Sequence, residues 1–492
     1  MGQATADPAT VPPPLPADGF VAVVKRDCPT CELVAPILAA LSTWRTVTVH
    51  SQDDPSFPTD CDPVDDRSLV FSWHHNIETV PTLIKVAAGR EVDRIVGWNR
   101  DEWLGFTEID GLPGTETDFM PGCGSRSVDP DLVDELQVRF GGSALSTRRI
   151  EIGTAEDEHE AMYDRGWTDG LPVVAPTEAR VLRMLDGTSC DPADVVAVVP
   201  PTLVEVTVEQ VAVNAVMAGC KPEYFPVVLA AVSGACTDRF NMHGLLCTLW
   251  FSGPVLIVNG PVRNRIGMNS GKNALGQGNR ANSTIGRALQ LVVRNLGGGR
   301  PGVDGIDRSA LGAPSKVGWC FAEDEEHLPP GWDPLAVERG LPPDTDAVTL
   351  FAGHGPIGAV DQTSRTPESL TRSLAAQLLA VGHPKLPSEA MLILTPEHQR
   401  VLADAGWSKQ RFRDELDPLL TLDGDRAQIG VDGMDVGVGP ELAGMQVPKF
   451  RPGSLMIARV GGSAGAFSAI IAGWIGGSKG SEPVTVPIAP WT

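Results

Sequence analysis

A short apolar strand that runs straight into Cys-Pro-Thr-Cys constrains this chain more than any other feature. Phe20-Val21-Ala22-Val23-Val24 has the composition and length of a buried strand. It leads into Cys28-Pro29-Thr30-Cys31, after which Leu33, Ile37, Leu38, Leu41 and Trp44 recur at helical spacing. A cysteine at such a junction stands at the positive end of the helix dipole, which lowers its pKa and favours the thiolate. Cys31, one turn on, is placed to resolve a mixed disulfide. Asp27 and Glu32 bracket the pair; negative charge raises a thiol pKa, so they predict a reducing dithiol. The same residues leave two other readings open. The cysteines could be structural thiols, or they could hold zinc together with Cys61 and His74 or His75.

Further elements follow in order. Val47-Thr48-Val49 reads as a second strand and Val80-Pro81-Thr82-Leu83-Ile84-Lys85-Val86 as a third. A turn at Ala88-Gly89 leads to a hairpin partner at 92–97, and 100–106 reads as a helix. This order, with the dithiol after a strand and Val-Pro-Thr opening a later one, resembles the thioredoxin fold over roughly residues 17–108. The resemblance implies a redox dithiol at Cys28 and Cys31, and a cis Pro81 facing it. The match departs from the family at three points. Asp27-Cys28-Pro29-Thr30-Cys31 replaces the family's Trp-Cys-Gly-Pro-Cys. Its buried acidic residue falls on Ala22, and Gln52–Ser68 reads as an insertion.

Residues 1–17 are rich in Pro and Ala and read as a disordered leader. Residues 109–150 read as a Gly/Pro/acidic connector, with a helix over 129–139 started by Asp129 and Pro130. Within the connector, Gly122-Cys123-Gly124-Ser125 leaves a thiol on pliable backbone. The tetrapeptide is similar to a motif of bacterial (seleno)proteins that carry selenocysteine or Cys followed by Gly-Ser-Cys. Here Arg126 stands in the last position. The resemblance implies that Cys123 is a nucleophile whose resolving thiol comes from elsewhere, with Cys28 the candidate. A linker cysteine without a role is the alternative.

From 151 to 492 the chain reads as one large α/β or α+β domain, with a subdivision near 335–345 left open. Strands are predicted over 172–174, 255–259, 390–394 and 455–460, and helices over 209–218, 225–234, 283–296, 368–380 and 396–405. Thr207–Pro222 echoes Thr366–Lys385, and Arg165–Thr168 echoes Ala405–Ser408, so two related halves are one reading and convergent turn chemistry the other. Arg165–Val174, Asn214–Cys220 and Asn259-Gly260-Pro261 resemble bacterial proteins of unassigned activity that accompany the Gly-Ser-Cys (seleno)proteins. That likeness implies no reaction.

The densest polar cluster runs from 269 to 284. Its candidate substrate-binding residues are Asn269, Lys272, Asn273, Asn279, Arg280, Asn282 and Ser283. With Asn282 or Ser283 as N-cap of the following helix, free N–H groups and the two cations could hold a carboxylate or phosphate. A structural Gly-rich turn is the alternative. The spacing matches neither a Walker loop nor a dinucleotide fingerprint. Cys236, His243 and Cys247 could bind a metal, but their spacing fits no common pattern, and core thiols are the simpler expectation. His243, Glu323 and Glu325 are acid/base candidates by residue type, while the run 323–326 reads as a solvated face. Gly461–Ser468 reads as a strand-to-helix turn that could face a ligand.

Composition narrows the function classes. With 62 acidic against 39 basic residues and a formal charge of −23, the surface repels nucleic acid and anionic membranes. The opening residues carry no basic, apolar signal, and the apolar stretch 464–475 is too short to span a bilayer. A cytoplasmic protein with mostly free thiols is expected. The leading expectation is a thiol-dependent redox enzyme. Its dithiol, with Cys123, serves a large domain acting on a small molecule, and a low-molecular-weight thiol or a thioredoxin-reductase-type partner recharges it. No organic cofactor is predicted, and a homo-oligomer stays open. The alternatives are a lyase or hydrolase built on the 269–284 loop, and a non-enzymatic redox sensor.

Overall fold

The computed structural model describes residues 12–113, 115, 117–141, 145–150, 152–153, 157–302, 305–463, 465–474 and 480–492. It is a mixed α/β chain in two compact units: 1–146 with 178–182, and 147–177 with 183–492. No helix among the described residues is long and apolar enough to cross a membrane.

In the first unit β1 (Gly19–Val24) lies parallel to β2 (Val47–Ser51) and antiparallel to β5 (Thr82–Ala87). The sheet is completed by β3 (Val64–Asp65) beside β2 and by β6 (Arg90–Val96) beside β5. β1 is apolar throughout because both its faces are covered, its last five residues being buried. Ala88 and Gly89, both at positive φ, make the hairpin turn between β5 and β6. α1 (Pro29–Trp44) buries Val34, Ile37, Leu38 and Leu41 in the same core. α2 (Val70–His74) follows β3, the two-residue β4 (Thr79–Val80) precedes β5, and β7 (Trp98–Asn99) leads into α3 (Arg100–Thr107).

Two boundary expectations are corrected. Of the predicted leader, residues 1–11 lie outside the described residues. Residues beyond them are attached: Leu15 packs on the core, Pro13 O contacts His75 Nε2 at 2.9 Å, and Ala17 O accepts from Gly89 N. The connector is not a tether either. β8 (Phe119–Met120) pairs with β7, and β9 (Cys123–Gly124) pairs with β4. α4 (Val133–Phe140) sets Leu136 and Phe140 against Leu69. It starts later than predicted, although Asp129 Oδ1 does accept from Asp131 N.

The second unit opens with α5 (Glu158–Asp164). After α6 (Glu178–Leu185), which crosses the unit boundary, come the hairpin of β10 (Val195–Val199) and β11 (Val204–Thr207), then α7 (Val208–Ala218), α8 (Phe225–Ala235) and α9 (Met242–Cys247). Its main sheet has seven strands: β12 (Gly253–Asn259), β13 (Trp319–Ala322), β14 (Ala347–Val360), β15 (Ser388–Leu394), β18 (Phe450–Arg459), β19 (Phe467–Gly473) and β20 (Val484–Pro487). The small pair β16 (Thr421–Asp423) and β17 (Gln446–Pro448) lies between β15 and β18 in sequence. The helices among these strands are α10 (Val262–Arg265), α11 (Arg280–Asn295), α12 (Leu335–Glu338), α13 (Pro367–Leu379), α14 (Pro396–Asp404) and α15 (Lys409–Leu416).

The main path runs β13-β12-β14-β19-β15-β18, with β20 against β14. It has the same arrangement in each half. β12 is parallel to β13 and antiparallel to β14; β15 is parallel to β18 and antiparallel to β19; β14 and β19 meet antiparallel in the middle. The ends of the path also meet, since Asp324 N, just past β13, donates to Arg459 O of β18 at 2.9 Å. One face of all six strands fills a shared interior with Val255, Phe321, Phe351, Ile393, Met456 and Ile471 among its residues. The region 335–345, where a subdivision was left open, holds α12 and the turn that leads into β14, whose residues pair with β12 and β19 on either side.

The echo between 207–222 and 366–385 corresponds to α7 and α13, each N-capped by its threonine. The second echo is turn chemistry. Gly166 and Gly406 both take positive φ at a helix end, and the Trp after each donates back to Met162 O and Leu402 O. Their helices, α5 and α14, occupy different places in the chain order. Two expected elements are replaced: 172–174 is irregular, and after β18 the described residues 461–463 and 465–466 are irregular and the next element is the strand β19, not a helix.

Candidate functional site

The first unit brings Cys28, Cys31 and Cys123 together. Cys28 is the N-cap of α1, with extended φ/ψ of −154° and 111°, and its Sγ accepts from Cys31 N at 3.3 Å. Pro29 begins the helix where an N–H has no intrahelical partner, so proline costs nothing there. Cys28 and Cys31 are 1% and 0% exposed, with Cys31 turned into the core. Cys28 Sγ lies 3.6 Å from Val80 O, and the Val80–Pro81 peptide is cis. Val80 is the residue opposite Cys123 in the β4–β9 pairing.

The three thiols share one favourable place for a negative charge, and it is Cys28. Its pKa falls to about 5, chiefly because the Cys31 thiol donates to it. Burial opposes this, while the Cys123 thiol and the amides of Cys31 and Thr30 support it. Burial first, and then its bond to Cys28, push Cys31 far up. The Cys123 thiol is raised for the same two reasons, in the same order. Two expectations change here. Asp27 and Glu32 do not govern Cys28, because both are exposed to solvent whereas the donors touch the sulfur. Cys123 donates to Cys28 in this arrangement, and of the three sulfurs Cys28 is the one whose charged form is favoured.

The zinc alternative finds no geometry: among the described residues no three His, Cys, Asp or Glu side chains gather as a metal-ligand group. The same holds for Cys236, His243 and Cys247. Cys236 ends α8 with its thiol pushed up to about 12 by burial, while His243 and Cys247 are exposed on α9. All nine cysteines are free thiols.

The 269–284 loop binds itself. Asn282 Nδ2 donates to Asn269 O and Ala274 O, and its Oδ1 accepts from Asn269 N. Asn269 closes on Lys272 O and Gly271 N, Asn273 on Gln277 O, and Asn279 on Gly267 O. Arg280 donates to the carbonyls of Gly219 and Cys220 at the end of α7. Lys272 and Ser283 are left exposed. α11 starts at Arg280, and its N-cap is Asn279, not Asn282 or Ser283.

The acidic run after β13 is not a solvated face. Glu323 is 0% exposed, and its carboxylate accepts from Asn259 Nδ2, Leu335 N and, at 3.4 Å, Arg459 N. Burial pushes its carboxyl up. Arg263 bridges Glu325 and Glu326, and Arg459 binds Asp324 and Gln399. This network closes the sheet where its ends meet. Sequence reasoning named Glu323 and Glu325 but missed Asn259, Arg263 and Arg459. The available signal was the fully apolar strand Trp319–Ala322, which carries the next residue into the interior.

Comparison with known proteins leaves the assignment to this geometry: no protein-family model, no curated protein and no solved structure matches the chain.

Proposed function

We propose that the chain is a thiol–disulfide redox protein in which Cys28 is the attacking thiolate and Cys31 and Cys123 are its two alternative partners. The observation that carries this is the placement of the Cys28 sulfur at the N-cap of α1, where Cys31 N donates to it at 3.3 Å and the thiols of Cys31 and Cys123 stand as further donors that favour its charged form. The Cys28 thiolate attacks one sulfur of a disulfide, forming a mixed disulfide and releasing the other sulfur as a thiolate. That thiolate takes the proton of Cys31 or Cys123. The new protein thiolate then attacks the Cys28 sulfur and releases the second substrate thiol. Two protein thiols become one disulfide and the substrate disulfide becomes two thiols. Two low-molecular-weight thiols, leaving as their disulfide, return two electrons and two protons.

A thioredoxin-like identity for the first unit belongs to this proposal. It is supported by the strand order β3-β2-β1-β5-β6 and by the dithiol at the N-terminus of the helix that follows β1, beside Val80 at the entry to β5. A small-molecule substrate for the second unit, related halves within it, and a cytoplasmic setting belong to it as well. The rival lyase or hydrolase reading is weaker, because the amides it needs are occupied by the loop's own backbone.

Iodoacetamide labelling of Cys28, followed by peptide mass spectrometry across pH, tests the reading. The rate should be half-maximal near pH 5, and one equivalent of oxidant should yield disulfides of Cys28. A rate that rises only near the ordinary thiol pKa of about 8.5 would overturn it.

A further inference from the structure

The segment from Phe119 to Ser127 lies in a groove of its own unit as an added strand, tied along its whole length. Trp98 pairs with Met120 and Asn99 with Phe119; Val80 pairs with Cys123 and Thr79 with Gly124. Between the two pairings Thr30 Oγ1 donates to Pro121 O at 2.6 Å. Beyond them Lys25 Nζ donates to Gly124 O at 2.9 Å, Ser125 N to Glu78 O, and Gln52 Nε2 to Ser125 Oγ at 2.6 Å. Ser127 Oγ closes the row on Ile77 O. This register sets the Cys123 thiol on Cys28.

The groove is selective at one point. A β-carbon on Gly122 would overlap Thr79 Cγ2 and come to 3.0 Å from Val80 O, whereas one on Gly124 would meet nothing. The strand that fits is one with no side chain immediately before its cysteine, and the chain supplies that strand itself.

We infer that residues 119–125 are a resident exchange partner: they close Cys28 to disulfides carried by other proteins and present Cys123 as the port through which small disulfides enter. The inference rests on the Cys28 reading above. The Cys28 thiolate takes the Cys123 proton, the Cys123 thiolate attacks a small disulfide X–S–S–X to leave Cys123–S–S–X, and the expelled X–S⁻ takes that proton from Cys28 and departs as X–SH. The Cys28 thiolate attacks the Cys123 sulfur, forms the Cys28–Cys123 disulfide and expels X–S⁻, which takes the Cys31 proton. Cys31 then attacks Cys28 and releases Cys123. The oxidising pair ends on Cys28–Cys31, two X–SH have left, and the port is open again.

The test uses the full chain, with hydroxyethyl disulfide as the small probe and insulin as the protein disulfide, and dithiothreitol as electron donor. The wild type should reduce the small probe and turn over insulin poorly. Gly122→Val should lift insulin reduction by about tenfold and lower the yield of Cys28–Cys123 disulfide. Thr30→Val, which removes only the bond to Pro121 O, should act in the same direction and covers the case in which the valine at 122 impairs folding. Equal insulin rates in wild type and variants, with the acid-shifted labelling of Cys28 intact, would overturn the inference alone. Failure of every form to exchange with either probe, with labelling rising only near pH 8.5, would overturn the underlying reading.

Discussion

The two units each contain a helix of 16 residues whose N-cap side chain accepts a bond from the amide three residues on. In the first the cap is Cys28, with Cys31 N at 3.3 Å; in the second it is Asn279, with Asn282 N at 3.1 Å. Capping geometry is the same, and so is the dipole behind it. The consequences differ because the capping groups differ. An amide is neutral and has two ends, and Asn279 occupies its second end on Gly267 O. A thiol can ionise, so donors that satisfy it also charge it. One device therefore closes a loop in one place and favours a charged sulfur in another.

The comparison breaks most visibly at Asn282. Asn282→Ala strands Asn269 N–H, Asn269 O and Ala274 O together, and the second unit should lose about 2–4 kcal/mol. Chemical denaturation would show it, with Cys28 labelling unchanged. The next effect is a pH dependence in the first unit. Cys28 binds its proton near pH 5 when folded and near 8.5 when unfolded. Between those values the unfolded chain holds more protons, so stability rises with pH and is lost as pH falls through 5. The slope is at most about 1.4 kcal/mol per pH unit. Cys31, pushed up, is neutral in both states over this window. Cys28→Ser should flatten the slope in denaturation curves between pH 5 and 7, and an unchanged slope would place the charge elsewhere. The smallest change is Asn279→Ser. Serine caps as well as asparagine, so the cap itself should cost only a few tenths of a kcal/mol in the same assay. A loss above about 2 kcal/mol would show that the contact with Gly267 O governs the loop.

Much of this arrangement is legible in the sequence wherever a single period dominates. β1, α1, α7, α8, α13 and α14 fall within a few residues of their predicted spans, because apolar spacing of 2 or 3.6 residues and a capping residue mark them. The motif resemblance does point Cys123 to Cys28, but how the segment carrying Cys123 docks is not legible. Its strand consists of two short pairings in Gly/Pro-rich chain with no period, and its partners Lys25, Thr30, Gln52 and Glu78 are far away in sequence. Polar clusters mislead for a related reason. Asparagines at 269–282 do mark specific hydrogen bonds, but nothing in the order of letters says whether the partner is a ligand or the loop's own backbone. The run at 323–326 starts with two buried carboxylates, Glu323 and Asp324, and only Glu326 is exposed, since position relative to the end of β13 decides burial and charge does not.

Three sulfurs make an odd set. Whichever two join under the proposed chemistry, the remaining one stays single, so an oxidised chain keeps one thiol at this place. With Cys28–Cys31 joined the bachelor is Cys123; with Cys28–Cys123 joined it is Cys31, walled into the core. A leftover thiol that swaps between surface and interior lets outside chemistry read which bond has formed.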